Sequence, residues 1–310
     1  MTSAPGVVVK DYKSVDGWTQ PTDPTARSRA YCQQLERGEI LFFSEPPFDL
    51  PQSDREFLLA QQWAEMRLHK NVSYRPGADI LKGIQGSSQA VERVHDIMRR
   101  YSTGVIGFLR QFLAPYADRW IIDFASFRPF EEEHRNLPLH KRNDLLHVDA
   151  FPSRPTRGGR ILRVFTNLNP TAPRIWNTYG DFAAIANAHA KNAGLQHIAE
   201  QDGFLSRTLQ KAGRVLGIPG TGRTPYDMFM LRFHDYLKEN TEFQEKAPKQ
   251  HLDFPPLSTW LVFTDGVAHA AMSGRYALEQ TLLIPAGALV SPEHAPFRVL
   301  ESIAGRPLVY

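Results

Sequence analysis

Two short apolar runs of the 310-residue chain carry the side chains best able to do chemistry. In Leu145-Leu146-His147-Val148-Asp149-Ala150-Phe151, an imidazole and a carboxylate stand two positions apart. Read as a strand, this run sends His147 and Asp149 to one side and Leu146, Val148 and Ala150 to the other. A neutral imidazole and a carboxylate suit a divalent metal. A second histidine from a neighbouring strand would complete a face of two His and one carboxylate with three open positions. That is the ligand set of non-haem Fe(II) oxygenases, whose open positions take a bidentate 2-oxoacid and then O2. H-x-D alone is a weak signal, because it recurs by chance.

The second run, Trp260-Leu261-Val262-Phe263-Thr264-Asp265-Gly266-Val267-Ala268-His269-Ala270, supplies His269 after a strand and turn. Its surroundings are apolar, where an unpaired imidazole would be costly. The alternative for His269 is a core histidine bonded to a carbonyl. The other nine histidines fall mainly on predicted helices or loops. The nearest rival, His140, is too close in sequence to the H-x-D to reach across a barrel easily.

A dicarboxylate cosubstrate such as 2-oxoglutarate also needs a deep cation, and the planar fork of arginine meets a carboxylate with two bonds. The strand-like run Arg160 to Leu168 contains two candidates. Alternation places Arg163, Phe165 and Asn167 on one face and Arg160 on the other. Arg163, between Leu162 and Val164, is the preferred anchor and Arg160 the reserve. Ser273 and Thr281 could add a hydroxyl to the same carboxylate, although both also fit ordinary strand composition. Around the expected mouth, Arg128, Arg135, Lys141, Arg142, Arg154 and Arg157 are available to an anionic substrate. Most of them read equally well as solvated loop charges. Arg128, Arg142 and Arg157 are the substrate candidates.

The elements that must position these groups are short. Trp120 to Phe127, Leu145 to Phe151, Arg160 to Leu168, Thr259 to Thr264, Val267 to Met272 and Tyr276 to Ile284 are β-branched or aromatic runs separated by Gly, Pro and Asn. Before them lies a helical region, 1–118. In it Ala26 to Arg37 stops at Gly38, and Ser53 with Glu56 reads as a capping box. Val91, Val94, Met98, Tyr101, Val105, Leu109 and Phe112 form one apolar stripe. A helical insert, about 180–249, divides the β core into 119–179 and 250–303. Its last helix opens with Thr224 as N-cap, Pro225 next and Asp227 at the third position. The expected fold is therefore α+β: one domain with a double-stranded β-helix (jelly-roll or cupin-like) core, flanking helices and a helical insert.

Composition excludes several classes. With 42% hydrophobic and 22% charged residues the chain is ordinary globular protein. A net charge of +3 suits anionic partners but lacks the clustered basic footprint of nucleic-acid binding. The single Cys32 permits no intramolecular disulfide and fits a reducing compartment. Met1 to Gly6 has neither a basic nor an apolar leader region, and no run approaches the roughly 18 apolar residues of a membrane span. A cytoplasmic protein, soluble or peripheral on a membrane, is expected.

Longer segments carry a resemblance. Pro225-Tyr226-Asp227 through Met230-Leu231-Arg232-Phe233-His234-Asp235-Tyr236-Leu237-Lys238-Glu239-Asn240, then Phe254-Pro255-Pro256, Ser258-Thr259-Trp260, Phe263-Thr264-Asp265, His269 and Leu278-Glu279-Gln280-Thr281 together resemble the Kdo hydroxylase family. These are bacterial Fe(II)/2-oxoglutarate dioxygenases acting on 3-deoxy-D-manno-octulosonic acid (Kdo) of the lipopolysaccharide inner core. The resemblance runs from about Ser28 onward. It implies that His147, Asp149 and His269 are iron ligands, that 2-oxoglutarate and O2 are consumed with ascorbate as reductant, and that the acceptor is Kdo-lipid A at the inner membrane. One departure stands out. Many members of the wider superfamily place an oxoglutarate-binding Arg, then a Ser, downstream of the distal His, where this chain has Glu279 and Thr281. Unless Arg275 bends inward, this favours Arg163. Competing readings are the same oxygenase chemistry on a protein or amino acid, and a cupin-like metal- or sugar-binding module without turnover. The apolar helix from Pro225 to Asn240 could also lie on a membrane, but residues circling it on nearly all sides favour burial.

Overall fold

The computed structural model describes residues 12–18, 23–61, 63, 71–131, 137–200 and 222–310. Arg135, the Met1 to Gly6 segment and residues 201–221 of the helical insert lie outside them. The strands are β1 (Tyr12–Ser14), β2 (Ile40–Phe43), β3 (Val72–Arg75), β4 (Ile80–Lys82), β5 (Ile121–Arg128), β6 (Arg160–Asn167), β7 (Arg174–Tyr179), β8 (Gln250–Phe254), β9 (Thr259–Phe263), β10 (Ala268–Ser273) and β11 (Ala277–Ile284). The main helices are α1 (Pro24–Glu36), α2 (Gln52–Ala60), α3 (Ser88–Phe112), α4 (Phe182–His189), α5 (Leu195–Glu200), α6 (Pro225–Glu239), α7 (Thr241–Lys246) and α8 (Pro296–Ala304).

An eight-stranded sheet, in the order β1-β2-β9-β6-β11-β5-β3-β4, faces a three-stranded sheet, β10-β7-β8. The expected α+β architecture with a cupin-like core is what the chain adopts. β9 reads Thr-Trp-Leu-Val-Phe and is buried along its whole length, because both faces of the large sheet are covered there. On the outer face, the α3 stripe of Val94, Met98, Tyr101, Val105, Leu109 and Phe112 packs with Leu162, Val164, Leu261, Phe263, Leu278 and Leu282. Between the sheets, Phe165, Trp260 and Val262 meet Trp176, Leu252 and Phe254. Phe254 and Trp260 stack at 3.9 Å.

Local signals set several boundaries as read. Thr224 and Asp227 exchange cap bonds at the start of α6, with Thr224 Oγ1 donating to Asp227 Oδ2 at 2.8 Å. Most of α6 is buried against α4 and α8, so its apolar residues serve the core and not a membrane.

Other readings need correction. Region 1–118 is not only helical, since β1 to β4 extend the large sheet at both ends. Ser53 and Glu56 form no capping box; α2 starts after Pro51, and the buried Asp54 is held by Arg93 and Arg100. β7 and β8 were not expected as separate strands. The final stretch to 303 is helix α8 and not β core. Leu145 to Phe151 is not a strand: it touches β10 through a single bridge between His147 and His269.

Candidate metal centre and active site

That bridge sets the two imidazoles side by side. His147 N–H donates to His269 O at 3.1 Å, and His269 N–H returns to His147 O at 2.9 Å. Asp149 N–H donates to Thr264 O at 2.9 Å, which anchors the carboxylate one step further on. Ligand atoms of His147, Asp149 and His269 lie within 4.8 Å of one another, and all three residues are buried. The pairing of His147 with Asp149 thus arises from a bridge and a loop contact, although the strand argument placed them on one side for another reason.

Each imidazole is oriented from behind. His147 Nδ1 lies 2.7 Å from Leu145 O and His269 Nδ1 lies 2.9 Å from Val267 O. A carbonyl can only accept, so Nδ1 carries the proton and Nε2 keeps its lone pair for a metal. The carbonyl bond foreseen as the alternative for His269 is therefore present, and it orients the ring toward the candidate metal position. Burial pushes both imidazoles below their usual pKa, so both are neutral. For Asp149 burial opposes ionisation. The Arg163 guanidinium outweighs it and holds the carboxyl well below its ordinary range. Two neutral imidazoles and one carboxylate make a donor set that fits Fe(II).

The segment carrying His147 and Asp149 is gripped on its other side by the helical insert. Gln244 on α7 accepts from Leu146 N–H and donates to Leu146 O, both at 2.9 Å, imitating a neighbouring strand. His234 on α6 lies 2.8 Å from Val148 O through Nδ1. Its ring meets that of His147 edge-on at 5.0 Å.

Beside the triad is a cleft lined by Arg128, Asn143, Arg163, Phe165, Arg174, Trp176 and Ala271. Arg163 spans two carboxylates, with Nη2 2.9 Å from Asp149 Oδ2 and Nη1 2.6 Å from Glu279 Oε1. Arg128 Nη2 reaches Glu279 Oε2 at 2.6 Å. Burial raises the pKa of Glu279, but Arg128 and Arg163 prevail and it is depressed. Arg174 enters from β7, with Nη1 2.5 Å from Gly274 O. Gly274 has a φ of +105°, and a Cβ there would lie 2.9 Å from the Arg174 Cα, so glycine lets this turn close. Trp176 stacks on His269 at 5.0 Å, and its buried Nε1 has no hydrogen-bond partner among the described residues. An orphaned indole N–H among guanidinium groups fits an acidic oxygen ligand.

The other site candidates fall as follows. Arg160 is not in this cleft. It is buried on the opposite face, its Nε 2.7 Å from Asp265 Oδ2 and its guanidinium over Phe263. Thr281 donates to Glu279 Oε1 at 3.2 Å, which supports Glu279 instead of a cosubstrate. Ser273 is half-buried at the end of β10. Arg142 is tied to Asp144, and Arg157 Nε donates to Gly222 O. Arg128 lies inside the cleft and not at its rim. Arg174, Trp176, Gln244 and His234 were missed. In β7, Arg174-Ile175-Trp176-Asn177-Thr178-Tyr179, every second residue is buried with an arginine at the head of the inward face, but the residue types themselves do not alternate in polarity and so gave no signal.

A class that combines a three-ligand metal face with a cationic slot for a dicarboxylate is the non-haem Fe(II)/2-oxoglutarate dioxygenases, and this chain is one. The family model described as 3-deoxy-D-manno-oct-2-ulosonic acid (Kdo) hydroxylase matches residues 18–307. The crystal structure of the Kdo hydroxylase KdoO in complex with α-ketoglutarate (2-oxoglutarate) and Fe(III) is 33% identical, with a TM-score of 0.79, covering 97% of this chain and 98% of that one. KdoO with succinate and Fe(III) is also 33% identical, with a TM-score of 0.78, covering 96% and 97%. The apo structure of KdoO is 34% identical, with a TM-score of 0.78, covering 97% of each chain. No curated protein matches the sequence. The chain belongs to the Kdo hydroxylase family.

Proposed function

We propose that this protein adds one hydroxyl group to the Kdo sugar of Kdo-lipid A, with His147, Asp149 and His269 holding Fe(II). The cleft of Arg128, Arg163, Arg174 and Trp176 would take 2-oxoglutarate. The observation that carries this reading is the triad lying beside that cleft, with Arg163 touching both. Bound Fe(II) and 2-oxoglutarate would activate O2, so that one oxygen atom enters the acceptor and the other leaves in succinate, with CO2 released.

The chain's own residues supply binding and orientation. Leu145 O and Val267 O fix the tautomer so that Nε2 faces forward, and burial keeps both imidazoles neutral. Arg163 keeps Asp149 ionised. Trp176 Nε1 and the guanidinium groups lining the cleft would hold the cosubstrate's carboxylate oxygens. Ascorbate would serve as reductant. Among the described residues no helix is long and apolar enough to cross a membrane, so contact with the inner-membrane surface from the cytoplasm would be peripheral.

The test is mass spectrometry of Kdo-lipid A after incubation with Fe(II), ascorbate and 2-oxoglutarate. A product one oxygen heavier, formed only when iron and 2-oxoglutarate are both present, is the expected result. Unmodified glycolipid from a protein that still couples another acceptor to succinate release overturns the substrate assignment alone.

A further inference from the structure

The large sheet continues past the metal site into a wing, β5-β3-β4, and register shows what its active-site face carries. Glu279 is opposite Ser126, Ser126 opposite Ser73, and Ser73 opposite Lys82. Cross-strand partners share a face, so this row starts in the cleft and ends at the sheet edge. Arg75 and Ile80, paired with each other and two residues along from Ser73 and Lys82, lie on that same face. Both are exposed.

Stacked side chains run along this face. The Arg163 guanidinium lies 5.7 Å from the Phe151 ring, and Arg154 lies 4.2 Å from Phe151 and 4.3 Å from Phe124. Arg75 lies 4.7 Å from Phe124. A continuous ladder of cation and aromatic ring thus leads from the partner of Asp149 to solvent. Arg154 is also paired with Asp123 and is partly exposed. Stacking fixes a guanidinium plane while leaving its in-plane N–H groups available to a carboxylate.

We propose that Arg154, Phe124 and Arg75 form the platform that receives the carboxylate of the acceptor sugar acid. This rests on the reading of the acceptor as a Kdo glycolipid. The sugar carboxylate is favoured over a lipid phosphate because the ladder begins beside the metal site, where the Arg163 guanidinium lies 2.9 Å from Asp149 and 5.7 Å from the Phe151 ring. Ile80 at the outer end is 43% exposed and offers apolar contact to the rest of the glycolipid.

The test uses Arg75→Gln, Phe124→Leu and Arg154→Lys in the iron-loaded enzyme, the last retaining a cation opposite Asp123. Arg75→Gln and Arg154→Lys should each raise KM for Kdo-lipid A by about tenfold or more, the loss expected for a hydrogen bond to a charged group, and Phe124→Leu should raise it too by freeing both guanidinium planes. The anaerobic charge-transfer band that reports 2-oxoglutarate binding should titrate as in the wild type. Free Kdo should compete with the glycolipid, and lipid A lacking Kdo should not. Unchanged KM in Arg75→Gln and Phe124→Leu overturns the platform while leaving the function intact. Competition by lipid A but not by Kdo overturns the choice of carboxylate. A wild-type protein that leaves Kdo-lipid A unmodified refutes the functional reading, and the platform with it.

Discussion

At the scale of single residues, the site depends on how a few charges share partners. His147→Ala, Asp149→Ala and His269→Ala should each abolish turnover and leave the purified protein folded but poor in iron, because two ligands hold Fe(II) weakly. Near-normal activity at limiting iron would remove that residue from the ligand set. Asp149→Glu should fail as well, since one methylene moves the carboxylate by more than the roughly 0.2 Å tolerance of metal–ligand distances. Arg163 has a double duty that its neighbours in sequence do not disclose. Because it lies 2.9 Å from Asp149 as well as beside the cleft proposed for 2-oxoglutarate, Arg163→Leu should weaken iron and 2-oxoglutarate binding together. Losing one partner of a buried charged pair costs about 2–5 kcal/mol, so affinities should fall about thirtyfold or more. Arg160→Leu should lower stability through Asp265 and leave both affinities alone. Isothermal titration of the two variants separates these outcomes.

At the scale of elements, the segment carrying His147 and Asp149 is held between a β-strand and two helices of the insert. Gln244 satisfies both polar groups of Leu146, and Leu cannot replace either bond. Gln244→Leu should weaken metal affinity by about 10–100-fold, the usual effect of removing a group that orients a ligand. Gln244→Glu retains the acceptor for Leu146 N–H but loses the donor, so its metal affinity should fall between the two. Titration with Co(II), followed by its visible spectrum, tests the order without turnover. If Gln244→Leu binds Co(II) like the wild type, the insert does not position the ligands. Elsewhere the elements follow local rules: Asp23 caps α1, Thr224 caps α6, and Gly38 at φ +80° ends the turn after α1.

Across the whole molecule, Glu279 ties the large sheet to the site through Arg128 and Arg163. Its pKa is lowered from 4.5 by these cations against the effect of burial. The stability it contributes is complete above its ordinary value and disappears as pH falls through the lowered one. Glu279→Gln should therefore cost about 3–5 kcal/mol at neutral pH, as for a broken buried pair, and progressively less in acid. Urea unfolding of both proteins across that range would show the gap narrowing, and a constant gap would refute the linkage. Much of this molecule was legible in its residues. The Thr224 cap, the α3 stripe and the spacing of His147 and Asp149 are local, because capping and periodicity are set by neighbours along the chain. The position of His269 in an apolar run also pointed to its burial. Tertiary structure decided the rest. Leu145 to Phe151 resembles a strand, yet it bridges β10 at one point because Gln244 and His234 occupy its other side. Arg163 looked like a dedicated anchor, but Glu279, 116 residues later, comes beside it and shares its charge. Arg174 and Trp176 entered the site once β7 had paired with β10. Which strands pair is settled by contacts between distant segments, and it is that pairing, more than any local preference, that gives a buried charge its partner.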